Sequence, residues 1–222
     1  NYTQTQSLIL RHTQLIDLSK SESELLAEMD KNWRYNCRYS LRKGLTVEFT
    51  QESGRVEDFI DLYFKTVEAK GFLGRKPDYF RQVWEKMSED GKAILVFGKY
   101  QGEIVVARML FLHENTIYTA YTGTSRKKSH SKVKGAYGVV WEIMKWGKSN
   151  GYKELNMWGV KPHAKKGDPD YGYTQFKLGF GGRLVELAPA IDLISSNTWY
   201  LAFKVANWIR IKFAYLKTNL FN

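Results

Sequence analysis

The chain has 222 residues, 43% of them hydrophobic, enough for one large domain or a domain with an appendage around a real core, so disorder is excluded as the default. Its 34 Lys plus Arg against 23 Asp plus Glu give a net charge of +11, which predicts attraction to polyanions: nucleic acid, nucleotide-linked substrates or anionic lipid surfaces. A single cysteine, Cys37, rules out an intrachain disulfide and favours a reducing, cytoplasmic setting, and the scattered His12, His113, His130 and His163 match no metal-ligand spacing, so no metal is expected.

The start at Asn1, with neither a basic region, an apolar region nor a methionine, reads as a trimmed end, and no uncharged apolar run reaches the roughly 18 residues of a membrane span. Ser7 to Leu18 contains the β-type run Leu8-Ile9-Leu10 and ends in Ile16-Asp17-Leu18. Ser19, Ser21 or Ser23 then caps a helix that runs to about Met29, led by Glu22 and Glu24. In the next segment Lys31, Arg34, Arg38 and Arg42 recur at intervals of three, four and four, one stripe of a helix. With Tyr35 and Tyr39 beside it and no acidic residue between Lys31 and Val47, the stripe suits phosphates carrying a base or sugar; its plain alternative is a solvated basic face.

Gly44 ends that helix, and Thr46–Thr50 alternates as an edge strand. Two core-facing helices are predicted over Val56 to Glu68 and Asp78 to Met87, joined by Lys70-Gly71-Phe72-Leu73-Gly74-Arg75-Lys76-Pro77, a loop that either lines a pocket with Arg75 or turns a corner. From Ala93 the pattern is an antiparallel meander of Ala93 to Lys99, Glu103 to Leu112 and Thr116 to Thr122. A cationic loop, Arg126 to Lys134, runs into Gly135-Ala136-Tyr137-Gly138 at a helix start, where backbone amides with Lys132, Lys134 and Gly135 would form an anion site. A buried strand over Glu154 to Val160 and a polar loop from Pro162 lead to Tyr173-Thr174-Gln175-Phe176-Lys177-Leu178-Gly179-Phe180-Gly181-Gly182.

Those ten residues combine a cation, aromatic walls and three glycines. Gly179, Gly181 and Gly182 allow close approach of a ligand or of another backbone, Phe176 and Phe180 supply rigid apolar walls, and Lys177 would then sit partly desolvated, with Tyr173 and Gly179 as substrate-binding candidates. The bland alternative is a short helix with a glycine C-cap and an ordinary last-turn lysine. A strand over Arg183 to Leu187 follows, then a tail from Leu193 with no acidic residue, rich in Trp, Phe, Lys and Arg, which suits either a membrane surface or docking on the domain.

This order of elements is that of the GNAT acyltransferase fold, α/β with a mixed, largely antiparallel sheet flanked by helices. The chain resembles the second half of the Fem family (FemABX-like) of non-ribosomal peptidyltransferases from about Gln6 to Phe213. The likeness rests on Ser21 to Leu26, Arg34 to Gly44, the helix-loop-helix from Asp58 to Phe80, and Phe176-Lys177-Leu178-Gly179-Phe180-Gly181. It implies transfer of an amino acid from aminoacyl-tRNA to an amine of a peptidoglycan precursor, UDP-linked or lipid-linked, without cofactor, in the cytoplasm or at the inner face of the membrane. It also implies Lys177 and Phe176 at the reaction centre, with basic side chains on the precursor's phosphates. Family members are considerably longer, so residues 1–50 read as a remnant of a first GNAT-like domain, 51–197 as the GNAT-like domain and 198–222 as a basic amphipathic helix. An acetyl-CoA-dependent enzyme is the first alternative. Its Q/R-x-x-G-x-G/A loop is matched by Lys132-Val133-Lys134-Gly135-Ala136-Tyr137 only at the glycine. The second is a non-catalytic module binding nucleic acid or anionic membrane.

Overall fold

The structure, a computed structural model, describes residues 2–4, 10–71 and 74–219, and divides the chain into two units. One is His12–Glu186; the other joins Asn1–Arg11 to Leu187–Asn222.

The larger unit is built on a seven-stranded sheet. Its strands are β2 (His12–Asp17), β3 (Thr46–Thr50), β4 (Ala93–Tyr100), β5 (Glu103–His113), β6 (Thr116–Thr124), β7 (Glu154–Val160) and β8 (Arg183–Glu186). They lie in the order β3-β4-β5-β6-β7-β2-β8, antiparallel throughout except where β6 runs parallel to β7. The α/β class with a largely antiparallel sheet is thus present as the sequence predicts, and β3 is the edge strand its alternation suggests. Six of the eight β4 residues, Ala93 to Gly98, are buried, because helices cover both faces of this part of the sheet.

On one face lie α3 (Val56–Lys70) and α4 (Pro77–Glu89), whose Phe59, Tyr63, Phe80 and Trp84 pack on Leu95, Phe97 and Met109. The other face meets α1 (Glu22–Glu28), α2 (Lys31–Arg42) and α6 (Gly135–Ser149) through Leu25, Cys37, Val139 and Ile143. The short α5 (Lys128–Ser131), within the cationic loop, was not anticipated, and α7 (Tyr171–Leu178) begins two residues inside the expected polar loop. Helix α1 starts at a complete capping box: Ser21 receives the Glu24 amide on its side chain, and the Glu24 carboxylate receives the Ser21 amide.

Residues 1–50, set apart in the sequence, supply β2, β3, α1 and α2, with β2 seated between β7 and β8. The compact units divide the chain at Arg11/His12 and at Glu186/Leu187. The strand expected from Leu8-Ile9-Leu10 lies mostly outside the described residues, and Leu10 itself is irregular.

The smaller unit holds two strands the sequence did not signal, β1 (Tyr2–Gln4) antiparallel to β9 (Ile191–Leu193), and α8 (Asn197–Asn219). Both strands have three residues, too few for a readable alternation. Trp199, Phe203 and Trp208 of α8 are exposed. Lys204 and Lys212 lie over Tyr200 and Trp208.

The glycines after α7 serve the chain's own packing. A Cβ on Gly179 would lie 2.3 Å from the Trp33 ring, and one on Gly182, whose φ is +86°, would lie 2.2 Å from the Leu15 carbonyl oxygen. Gly182→Ala combines that backbone collision with a conformation L residues avoid, so it is expected to destabilise by about 2 kcal/mol or more in a chemical denaturation series.

Candidate active site

The parallel pair β6 and β7 is held together over only three positions, Thr116↔Glu154, Ile117↔Leu155 and Tyr118↔Asn156. Beyond them the strands part. The β7 backbone helps this: Thr13 pairs with Gly159 and Leu15 with Asn156, so Gln14 of β2 faces both Met157 and Trp158, a β-bulge. Trp158 takes a φ of +64°, a costly conformation for a bulky residue, and its amide donates to Asn156 Oδ1 at 2.8 Å. The Thr13 hydroxyl donates to the same oxygen.

The parting opens a cleft of about 530 Å³. Tyr63, Thr66 and Lys70 of α3 line it on one side, Tyr173, Phe176 and Lys177 of α7 on the other, with Arg108, Thr119 and Tyr121 of the sheet between them. Lys177 reaches back to β7, where its Nζ donates to the Gly159 carbonyl at 2.7 Å, and it lies 4.9 Å from the centre of the Tyr173 ring. Burial of its ammonium, then repulsion by Arg108, brings its pKa down from 10.5 to about 7. The bulge thus has a direct chemical consequence, since the strained turn presents the carbonyl that aims the ammonium. Asn156→Ala removes the acceptor holding Trp158. Turnover is expected to fall by about tenfold or more through misplacement of Lys177, with a lower melting temperature.

Phe176 stands beside the lysine with its ring 5.1 Å from those of Tyr137 and Phe180, and its carbonyl accepts from Trp33 Nε1 at 2.8 Å. Tyr173 lines the cleft, and burial first, then Asp170, pushes its phenol up to about 12. Arg75 is exposed, 5.3 Å over the Tyr79 ring. The Tyr79 hydroxyl meets that of Tyr121 at 3.1 Å, and burial together with this contact pushes Tyr121 up to about 12 although Arg75 opposes it. Arg75 therefore stands at the mouth of the cleft.

Gly179 faces Trp33 and is not part of the lining. Lys134 and Gly135 line a second groove of about 190 Å³ at the start of α6, which shares Thr124 and Ala136 with the main cleft. Lys132 is exposed nearby on the same connection. The predicted stripe on α2 does form, with Lys31, Arg38 and Arg42 exposed, but none of it lines the cleft. Arg34 is committed elsewhere: its Nη1 donates to the Leu26 carbonyl in the last turn of α1. Cys37 is buried against α6, and desolvation raises its thiol to about 12, so it is inert. Among the described residues no cluster of side chains could hold a metal ion.

Sequence reasoning missed Arg108 and Thr119. Arg108 is 4% exposed, and no hydrogen bond or ion pair satisfies its guanidinium among the described residues; its Nε is an orphan, as is Thr119 Oγ1. The signal was there for Arg108, a lone cation in the apolar run Ile104 to Leu112. Nothing marked Thr119.

The FemAB family model matches this chain in two segments, residues 2–97 and 90–207. The lipid II:glycine glycyltransferase of Staphylococcus aureus is 31% identical over 99 residues, covering 45% of this chain and 23% of that protein. This chain therefore matches under a quarter of the length of such curated relatives. The FemX crystal structure superposes with a TM-score of 0.81 at 18% identity, covering 90% of this chain and 68% of that one, and the structure of L-PGS from Bacillus licheniformis gives 0.51 at 19% identity, covering 84% and 62%. At such identities these two superpositions speak to the fold alone, whereas the family model spans most of the sequence: the chain belongs to the FemAB family.

Proposed function

We propose that this protein transfers an amino acid from aminoacyl-tRNA to an amine of a peptidoglycan precursor stem peptide, in cell-wall cross-bridge synthesis at the inner face of the membrane. The observation that carries this reading is the partly desolvated Lys177 ammonium, fixed to the Gly159 carbonyl in a cleft whose lining, among the described residues, holds no carboxylate. Membership of the family and the likeness to a lipid II:glycine glycyltransferase support a lipid-linked muropeptide as the acceptor.

The chemistry needs little more than placement. The acceptor amine attacks the ester carbonyl of the aminoacyl group, the carbonyl oxygen becomes an oxyanion, and collapse forms the amide while the ribose hydroxyl departs with the amine's proton. A preorganised cation in a low-dielectric site stabilises that oxyanion far more than it could in water. Lys177 supplies the cation and Phe176 a rigid wall that orders the reacting ends. Under this reading phosphates of donor and acceptor are met by basic side chains outside the cleft lining: exposed Lys31, Arg38 and Arg42 of α2, Arg75, and Lys132 and Lys134 near the α6 groove. The exposed aromatic and basic residues of α8 suit peripheral contact with an anionic membrane, next to a lipid-linked substrate.

The test is mass spectrometry of a muropeptide precursor incubated with charged tRNA and the protein. A gain equal to one or more amino-acid residues is expected. An acetyl increment with acetyl-CoA, and none with charged tRNA, would overturn the reading in favour of an acetyltransferase.

A further inference from the structure

The cleft contains a second cation that the proposed transfer does not use. Arg108 sits in the middle of β5, paired in register with Thr122 of β6, and is the most deeply buried charged group of the lining at 4% exposed. A buried guanidinium is normally held by a carboxylate or by several carbonyls, because leaving it unpaired sacrifices its hydration without return. Arg108 has neither. Its Nε is shut off from solvent with no acceptor, and no ion pair within 4.0 Å involves it among the described residues.

Thr119 repeats the pattern on the neighbouring strand. The β5–β6 register slips between Met109 and Phe111, so Thr119 and Ala120 both fall opposite Leu110, and this local irregularity turns Thr119 into the cleft. Its hydroxyl oxygen is buried, at 4% residue exposure, and has no hydrogen-bond partner among the described residues. Two orphaned buried polar groups from adjacent strands thus border one cavity. Their chemistry is complementary: a planar fork of N–H donors and a hydroxyl that donates or accepts. Lys177 and Lys70 add positive charge to the same lining.

We propose that Arg108 and Thr119 form a carboxylate-binding subsite at the inner end of the cleft, which receives the terminal carboxylate of a substrate. A carboxylate fits better than a phosphodiester. Only the end of a substrate reaches a group this deep, and the ends of peptides and of acidic side chains are carboxylates, whereas phosphodiesters lie within chains. A carboxylate takes two parallel N–H bonds from the fork and keeps further lone pairs to accept from the Thr119 hydroxyl. Two sources share this chemistry: the C-terminus of the acceptor peptide, and an acidic side chain on the transferred amino acid. Naming either source rests on the transfer reading; the subsite itself does not.

The experiment is calorimetric binding to the full chain of two acid and amide pairs. A tripeptide of stem type, as the free acid and as its C-terminal amide, represents the acceptor. Adenosine bearing a non-hydrolysable 3′-amide of aspartate, or of asparagine, represents the donor. One acid is expected to bind about tenfold or more tightly than its amide, as for a hydrogen-bonded charged group. Arg108→Met should abolish that preference and Thr119→Val weaken it. Arg108→Lys, which keeps the charge but not the fork, should reduce the preference and serves if the methionine variant does not fold. Equal binding of acid and amide in both pairs, or an acid preference that survives Arg108→Met, overturns the subsite. The transfer reading stands or falls separately, on product formed in the mass assay. An acid preference without product sinks the transfer and keeps the subsite; product without an acid preference does the reverse.

Discussion

Replacing Lys177 with methionine is expected to lower kcat by about 10²–10³-fold while leaving the fold intact, the loss typical when one preorganised donor to an oxyanion is removed. Methionine keeps the length and apolar stem that pack beside Tyr173 and Phe176, so the change isolates the charge. KM for either substrate should change much less, because the interaction belongs to the transition state. A second readout comes from stability. The folded-state pKa is depressed from 10.5 to about 7, so between those values the unfolded chain binds more protons and stability rises with pH. The cost of holding Lys177 charged is fully present below about pH 7 and gone above about 10.5. The methionine variant should therefore melt higher than the wild type at neutral pH, with a difference that shrinks as pH approaches 10.5. A lysine in open solvent would produce neither effect.

The second large effect is on the pH–rate profile. The reactive state needs a neutral acceptor amine and a charged Lys177, and the amine titrates at or above about 8. Below about pH 7, Lys177 stays protonated and log(kcat/KM) should rise with unit slope as the amine is freed. Above about 7, loss of the lysine's proton cancels that gain and the profile should flatten. With Lys177→Arg the guanidinium keeps its charge, so any remaining activity should climb without the break until the amine itself is deprotonated. Arg108→Met removes the neighbouring like charge and should move the break to higher pH, though not all the way, because burial is the larger cause of the depression. A profile with no break near pH 7 in the wild type would mean that Lys177 does not titrate in the working range.

The sequence carried the helices and the meander well, for a physical reason. Val56–Lys70, Pro77–Glu89 and Gly135–Ser149 each present an apolar face at helical spacing, and Ser21 with Glu24 announces a capping box three residues apart. Tyr173, Phe176 and Lys177 were visible as a group because they share one short helix. The setting that gives them meaning was not visible. It depends on β6 running parallel to β7 and then leaving it, which is a property of strand order and not of any one strand. The β7 bulge rests on the Asn156 side chain accepting from the amide of Trp158, a non-glycine residue at positive φ, and a strand pattern gives no warning of that.

The glycines illustrate the opposite difficulty. Their presence correctly announced close approach, but composition does not say what approaches. At Gly179 it is the Trp33 ring, and at Gly182 the Leu15 backbone. The α2 stripe is similar: its spacing was readable, yet Arg34 spends its guanidinium on the Leu26 carbonyl, and only three of the four cations remain outward. Arg108 interrupts an apolar strand in the sequence, and the cavity it borders exists only once α3, α7 and the sheet are assembled around it.

The claim on which the rest depends is that the Lys177 ammonium lies desolvated in the cleft between β6 and β7, and its own titration tests this most directly. NMR of the protein labelled with isotope at the lysine side chains, assigned by comparison with the Lys177→Met variant, should show this one resonance titrating with a midpoint near 7. A midpoint near 10.5, shared with the surface lysines, would place the ammonium in water and contradict the account.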